Sequence, residues 1–131
     1  MASNASIVIN DGATTPLAHT FDPVSIKDGS VANYQNKVAT IVSGRESLAA
    51  KMKSSAIVRT VNLDLKVPYI VTEVLNGINV PRVYNFGQIK ATVIVPVDWS
   101  AAQCKNLRVL GSNALVNAAI GLMIDEAEFV W

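Results

Sequence analysis

From Ser47 to Lys66 apolar and polar residues alternate with a period of two in each of two runs. Leu48, Ala50 and Met52 alternate with Ala49, Lys51 and Lys53, and Val61, Leu63, Leu65 and Val67 alternate with Thr60, Asn62, Asp64 and Lys66. Successive side chains of a strand point to opposite faces, so the pattern predicts a sheet with one apolar and one polar face. The apolar face packs on a core, and the polar face stays open to water or a ligand. A long last strand over Val83 to Val95 continues the pattern. It sets Gly87, Ile89, Ala91, Val93 and Val95 on one face and Tyr84, Phe86, Gln88, Lys90 and Thr92 on the other, and Pro96 ends it. Ser54-Ser55 and Asn76-Gly77 are turn signals, the second lying between Pro68 and Pro81.

Toward the N-terminus the runs are shorter. Ile7 and Ile9 alternate within Ser6 to Asn10, Asp11-Gly12 signals a tight turn, and Leu17 to Phe21 supplies the second arm of a hairpin. Asp22-Pro23 and Asp28-Gly29 predict irregular connections, and Val31 to Gln35 and a stretch within Lys37 to Ser43 predict further strands. After Pro96 the period changes. Ser100-Ala-Ala-Gln103 fits a capping box, in which the hydroxyl accepts from the Gln103 amide and the glutamine reaches back. Beyond it Cys104, Leu107, Gly111, Ala114, Leu115, Ala118 and Leu122 fall on one helical stripe, with Lys105 and Arg108 off it. Gly111-Ser112 or Gly121 is the expected break between two helices.

Strands first and helices last predict an α+β fold with helices over one sheet face. At 131 residues the chain forms one domain. Its hairpin lies at about 6–21, its sheet at 31–96 and its helices at 100–128. Composition adds a constraint: 50% of residues are hydrophobic, only 16% are charged, and mean hydropathy is +0.33. A small domain cannot bury all of that alone, so a second copy or another partner should cover part of it. A helical tail of small residues after a meander sheet invites exchange between protomers. If two sheets join edge to edge, each tail crosses onto the partner's sheet and hides its apolar face.

Charge and candidate chemistry narrow the function. No apolar run reaches the roughly 18 to 20 residues of a membrane span, and Met1-Ala2-Ser3-Asn4 has no signal-peptide pattern, so synthesis in the cytoplasm is expected. Net charge is +1, so any nucleic-acid role depends on where the lysines sit rather than on their number. The single Cys104 cannot form an internal disulfide and reads as a small apolar helix residue. His19 is the only histidine and lies far in sequence from Cys104, so a nucleophile–histidine pair is not expected. Asp125, Glu126 and Glu128 read as a solvated helix end rather than a metal site, and Trp99 and Trp131 as packing anchors of the tail. No catalytic residue, metal or cofactor is therefore expected.

Order, spacing and local strings then resemble the coat proteins of the small single-stranded RNA bacteriophages, the levivirus type, over nearly the full length. The resemblance rests on Ser3-Asn4 near the start, on Ala13-Thr14-Thr15-Pro16-Leu17-Ala18-His19-Thr20-Phe21, and on Gly29-Ser30-Val31-Ala32-Asn33-Tyr34. The ungapped spacing of Pro68, Pro81 and Pro96 and the position of Cys104 add to it. It implies an N-terminal hairpin, a five-stranded antiparallel sheet and two C-terminal helices. It also implies an interlocked homodimer with a continuous ten-stranded sheet, and an icosahedral shell around genomic RNA. Cys104, Leu107, Gly111, Ala114, Leu115, Ala118 and Leu122 would form the dimer interface. The segment containing Thr72, Asn76, Gly77 and Pro81 would be the loop that adapts between subunit environments.

The resemblance further implies that the polar sheet face binds an RNA hairpin and represses replicase translation. The matching positions are Val31, Ala49, Lys51, Lys53, Asn62, Asp64, Lys66, Gln88 and Lys90. The four lysines would neutralise phosphates, and Asn62 and Gln88 would read base edges. The sequence departs from the family pattern here. Ala49 and Lys51 stand where a well-studied member grips an adenine with threonine and serine, Asn62 and Asp64 replace its threonine–lysine pair, and Gln88 replaces its stacking tyrosine. General RNA contact is thus expected rather than recognition of that member's hairpin. Two other classes remain open from sequence: a dimeric RNA-binding regulator without a shell, and an enzyme or carrier that uses the sheet as a floor.

Overall fold

Strand pairing follows chain order throughout. The computed structural model describes residues 5–27 and 31–129 and contains β1 (Ile7–Asn10), β2 (Ala18–Lys27), β3 (Val31–Gln35), β4 (Ser47–Ser54), β5 (Val58–Leu75) and β6 (Ile78–Pro96), followed by α1 (Ala101–Val116) and α2 (Ala118–Asp125). Each strand pairs antiparallel with the next. β1 pairs with the first half of β2 as a hairpin, and the second half of β2 opens a five-stranded meander that ends at β6. The expected hairpin, five-stranded sheet and two helices are all present. Asp28-Gly29, Ser3-Asn4 and Trp131 lie outside the described residues.

Local chemistry explains where the elements begin and end. Asn76 and Gly77 hold φ of 51° and 77°, the left-handed pair that a two-residue hairpin needs to match strand twist. Ser55 closes the β4–β5 turn, with its Oγ accepting from the Val58 amide at 3.1 Å. The capping box at α1 forms: the Gln103 amide donates to Ser100 Oγ at 3.3 Å and the Ser100 amide to Gln103 Oε1 at 2.9 Å.

Five expectations need correction. Asp11-Gly12 is not a tight turn. Asp11 instead anchors a wider loop, its Oδ1 accepting from the amides of Ala13 and Leu17 at 3.1 and 3.0 Å. Asp22-Pro23 does not break the chain, because a register shift between Pro23 and Ser25 absorbs the proline within β2. The Lys37 to Ser43 stretch is not a strand. The Asn36 amide donates to the Glu46 carbonyl, closing the segment's ends, and the Asn36 side chain accepts from the Val38 amide at 3.2 Å, so the chain turns into a short 3₁₀ helix at Val42–Gly44.

Strands β5 and β6 run beyond Pro68 and Pro81, almost to the hairpin tip, with Thr72 paired to Pro81. β4 pairs with β5 only as far as Ser47 and Lys66, so beyond that point β5 and β6 form a two-stranded ribbon whose outer edges pair with no other described strand. There a missing proline N–H need not cost a ladder bond. The helix break falls at Asn117, not at Gly111 or Gly121. Asn117 is extended and caps α2, its Oδ1 accepting from the Ala119 amide at 2.9 Å.

Among the described residues only Phe21, Leu48 and Val95 are buried apolar side chains. No residue of either helix is buried. The protomer exposes 10082 Å², against about 6,700 Å² for a compact monomer of this mass. The excess of roughly 3,400 Å² is as large as a whole obligate subunit interface. A chain folded this way leaves its apolar face uncovered.

Candidate nucleic-acid interface

Register decides which side chains share the polar face. Val31 pairs with Lys51, Lys51 with Asn62, and Asn62 with Thr92. The next row runs Asn33, Ala49, Asp64, Lys90, and the third Gln35, Ser47, Lys66, Gln88. Lys53 lies beside Thr60 one row beyond. Directly paired residues point the same way, so Val31, Ala49, Lys51, Lys53, Asn62, Asp64, Lys66, Gln88 and Lys90 all occupy one face. A shallow hollow in it is lined by Val31, Ala49, Lys51, Asn62, Asp64 and Lys90, with Thr92 at its side.

Electrostatics and hydrogen bonding give this face its character. Four lysines meet one carboxylate, so its field is positive although the chain is nearly neutral. Asp64 accepts from Gln88 Nε2 at 2.7 Å, and Asn62 Oδ1 accepts from Thr92 Oγ1 at 2.9 Å. The Lys66 ammonium stands 4.1 Å above the centre of the Phe86 ring. These pairs pre-orient polar groups across neighbouring strands. Sequence reasoning passed over Asn33, Thr92 and Phe86, although the alternation already set Thr92 and Phe86 beside Gln88. Farther out the alternation fails, because Tyr84 is the extra residue where Ile70 pairs with Val83 and Tyr69 with Asn85. Tyr84 instead meets Tyr69 edge to face, with ring centres 6.4 Å apart.

The other face carries the helices. Of the helical stripe, Cys104 and Leu107 are half-buried, whereas Gly111, Ala114, Leu115, Ala118 and Leu122 are exposed in the protomer. Leu115 keeps 53% of its surface, and on the sheet beneath, Ile89 keeps 49% and Met52 59%. Thr72, Asn76, Gly77 and Pro81 lie at the outer end of the β5–β6 ribbon, braced by an Arg82–Glu73 ion pair of 2.6 Å. α1 and α2 meet at 55°, and among the described residues no single helix is long and apolar enough to cross a membrane.

The arrangement of hairpin, meander and two terminal helices agrees with a family model, described as Levivirus coat protein, that matches residues 2–131. The chain belongs to the levivirus coat protein family. The coat protein is similar in fold to the virus-like particle of bacteriophage ESE058, at 22% identity and a TM-score of 0.88, over 99% of this chain and 100% of that one. It is similar to the virus-like particle of Beihai levi-like virus 21, at 22% identity and a TM-score of 0.82, over 99% of both chains. The bacteriophage GA protein capsid aligns at 24% identity and a TM-score of 0.77, over 97% of both chains. Among curated protein sequences, none matches the coat protein. The role of this coat protein is structural, and its place is the capsid of the virion.

Proposed function

We propose that the coat protein forms an interlocked homodimer through the free edge of β6 and assembles into an icosahedral shell whose polar sheet face contacts single-stranded RNA. The observation that carries the RNA role is the register that gathers Lys51, Lys53, Lys66 and Lys90 on one face, opposite the helices. Joining two meanders across β6 makes a ten-stranded sheet with eight lysines on one side. Lysines at that spacing neutralise phosphates without reading sequence, while Asn62, Thr92 and Gln88 supply donors and acceptors for bases splayed into the hollow. The exposed stripe from Cys104 to Leu122 and the bare underside around Ile89 and Met52 supply the surface that the dimer buries. The coat protein does this without catalysis, metal or cofactor. Binding one RNA hairpin tightly enough to repress replicase translation is a narrower consequence of the same face.

The test is RNA binding by the assembled dimer across a salt series. Each lysine that neutralises a phosphate contributes about 0.7 to the slope of log affinity against log salt for single strands. Lys51→Ala, Lys53→Ala, Lys66→Ala and Lys90→Ala should each flatten that slope and leave the dimer intact. Four variants with the wild-type slope would place RNA elsewhere on the protein.

A further inference from the structure

On the helix side of the sheet lies a groove whose only charged groups are cations. It is lined by Arg59, Val95, Trp99, Cys104, Lys105 and Arg108, where the start of α1 faces the end of β6. Arg59 Nη2 reaches Cys104 Sγ at 3.8 Å, a weak acceptor that leaves the guanidinium charge unmatched. Among the described residues Lys105 and Arg108 form no ion pair. Among the described residues, three cations therefore crowd an apolar floor that no carboxylate lines.

The matching anions are at the other end of the chain. Asp125 and Glu126 close α2 beside Ile89, Glu128 follows, and none of the three forms an ion pair among the described residues. Ile89 and Val95 are six residues apart on β6, about 20 Å along a strand. A protomer's own acidic end is thus carried along β6 away from its own basic groove. A second copy joined antiparallel at the β6 edge would run the opposite way, and with the two-fold axis between Ile89 and Val95 its α2 would lie toward the Val95 end.

We propose that the groove of Arg59, Lys105 and Arg108 receives the Asp125–Glu128 segment of a second copy. The contact occurs twice in a symmetric dimer and sets which way each helical tail crosses. It rests on the dimer reading above and adds to it a specific charged seam. Opposite charges across a partly desolvated interface fix register and raise affinity, whereas like charges there are strongly unfavourable.

Charge reversal in the full-length chain tests it. One variant carries Asp125→Lys, Glu126→Lys and Glu128→Lys, and the other carries Arg59→Glu, Lys105→Glu and Arg108→Glu. Each alone should dimerise on the order of tenfold more weakly, or worse, at low salt. Mixed, the two should form a heterodimer in preference to either homodimer, because that pairing restores both seams. Native mass spectrometry of the mixture reads the species directly. Wild-type dimerisation by both variants, or loss in both without heterodimer rescue, would overturn the seam. Loss of RNA affinity by the second variant with its dimer intact would also overturn it and make the groove a phosphate site. A wild-type chain that stays monomeric would instead refute the dimer itself.

Discussion

His19 Nδ1 lies 2.7 Å from Glu46 Oε1, joining the N-terminal hairpin to the entrance of β4 across the intervening β3. The other ring nitrogen lies 3.1 Å from Asp11 Oδ2, and Glu46 Oε1 also accepts from the buried Asn36 side chain at 2.7 Å. One imidazole thus ties the hairpin loop, the hairpin arm and the turn before β4. The hydrogen bond to Glu46 first, and that to Asp11 second, hold His19 protonated above its ordinary pKa. The Leu17 backbone amide first, and then His19, hold the Asp11 carboxyl below the usual carboxylate range.

The pH dependence follows from those directions. The His19 contribution is fully present below the ordinary histidine value of 6.5 and fades as pH rises through the raised folded-state value. The Asp11 contribution is present above 3.8 and fades as pH falls through the lowered value. Protection factors of the hairpin amides, corrected for the intrinsic pH dependence of exchange, should therefore peak in the weakly acidic range between. His19→Gln should remove the alkaline part of the dependence. A wild-type profile that is flat from weakly acidic to alkaline pH would show that the clasp contributes nothing.

Gly44 is buried because Ile70 fills the space where a side chain would go. A methyl group there would come within 2.6 Å of Ile70 Cδ1 and 2.9 Å of Ile41 Cγ1. Gly44→Ala should cost about 1–3 kcal/mol by overpacking. The double variant Gly44→Ala, Ile70→Val should recover part of that loss in urea titrations. Equal stability of Gly44→Ala and the wild type would mean that the 3₁₀ turn shifts freely away from β5.

Gly77 at φ 77° is one of the two left-handed residues of the ribbon tip. Gly77→Val should cost about 1–2 kcal/mol locally and fray the ribbon toward its tip, beyond the Ile70–Gly44 contact, where β6 is the only described strand paired with β5. Dimer melting should change little, while particles seen by electron microscopy lose uniformity. Uniform particles with unchanged ribbon exchange would remove the tip from assembly.

Leu115 is exposed in the protomer and belongs to the stripe proposed to be covered in the dimer. Leu115→Asp would place an unpaired charge in that interface, at a cost of about 3–5 kcal/mol. Sedimentation should then show monomer or aggregate in place of dimer. A dimer of normal affinity would mean that the stripe faces solvent in the assembly.

Much of the fold was legible because side-chain periodicity is a local property. The alternation through Lys51, Asn62 and Lys90 placed these residues on one polar face, and pairing confirms that they are neighbours. Asn76-Gly77 and Ser100–Gln103 are short-range signals whose hydrogen bonds close within a few residues, so they too were readable. The break at Asn117 was available as well, since a mid-pattern asparagine is a capping residue, but Gly111 and Gly121 drew attention by composition.

The sequence by itself determined the faces, the main hairpin tips and the first helix cap, since each depends on residues a few positions apart. Only the tertiary structure decided that β2 continues past Pro23, because β3 lies alongside to absorb the bulge. It alone turned Lys37 to Ser43 away from a strand, through the distant pairing of Asn36 with Glu46. It alone also brought His19 to Glu46 and Gln88 to Asp64, contacts between residues 27 and 24 positions apart. Such contacts are set by chain topology and strand register, which no local pattern specifies.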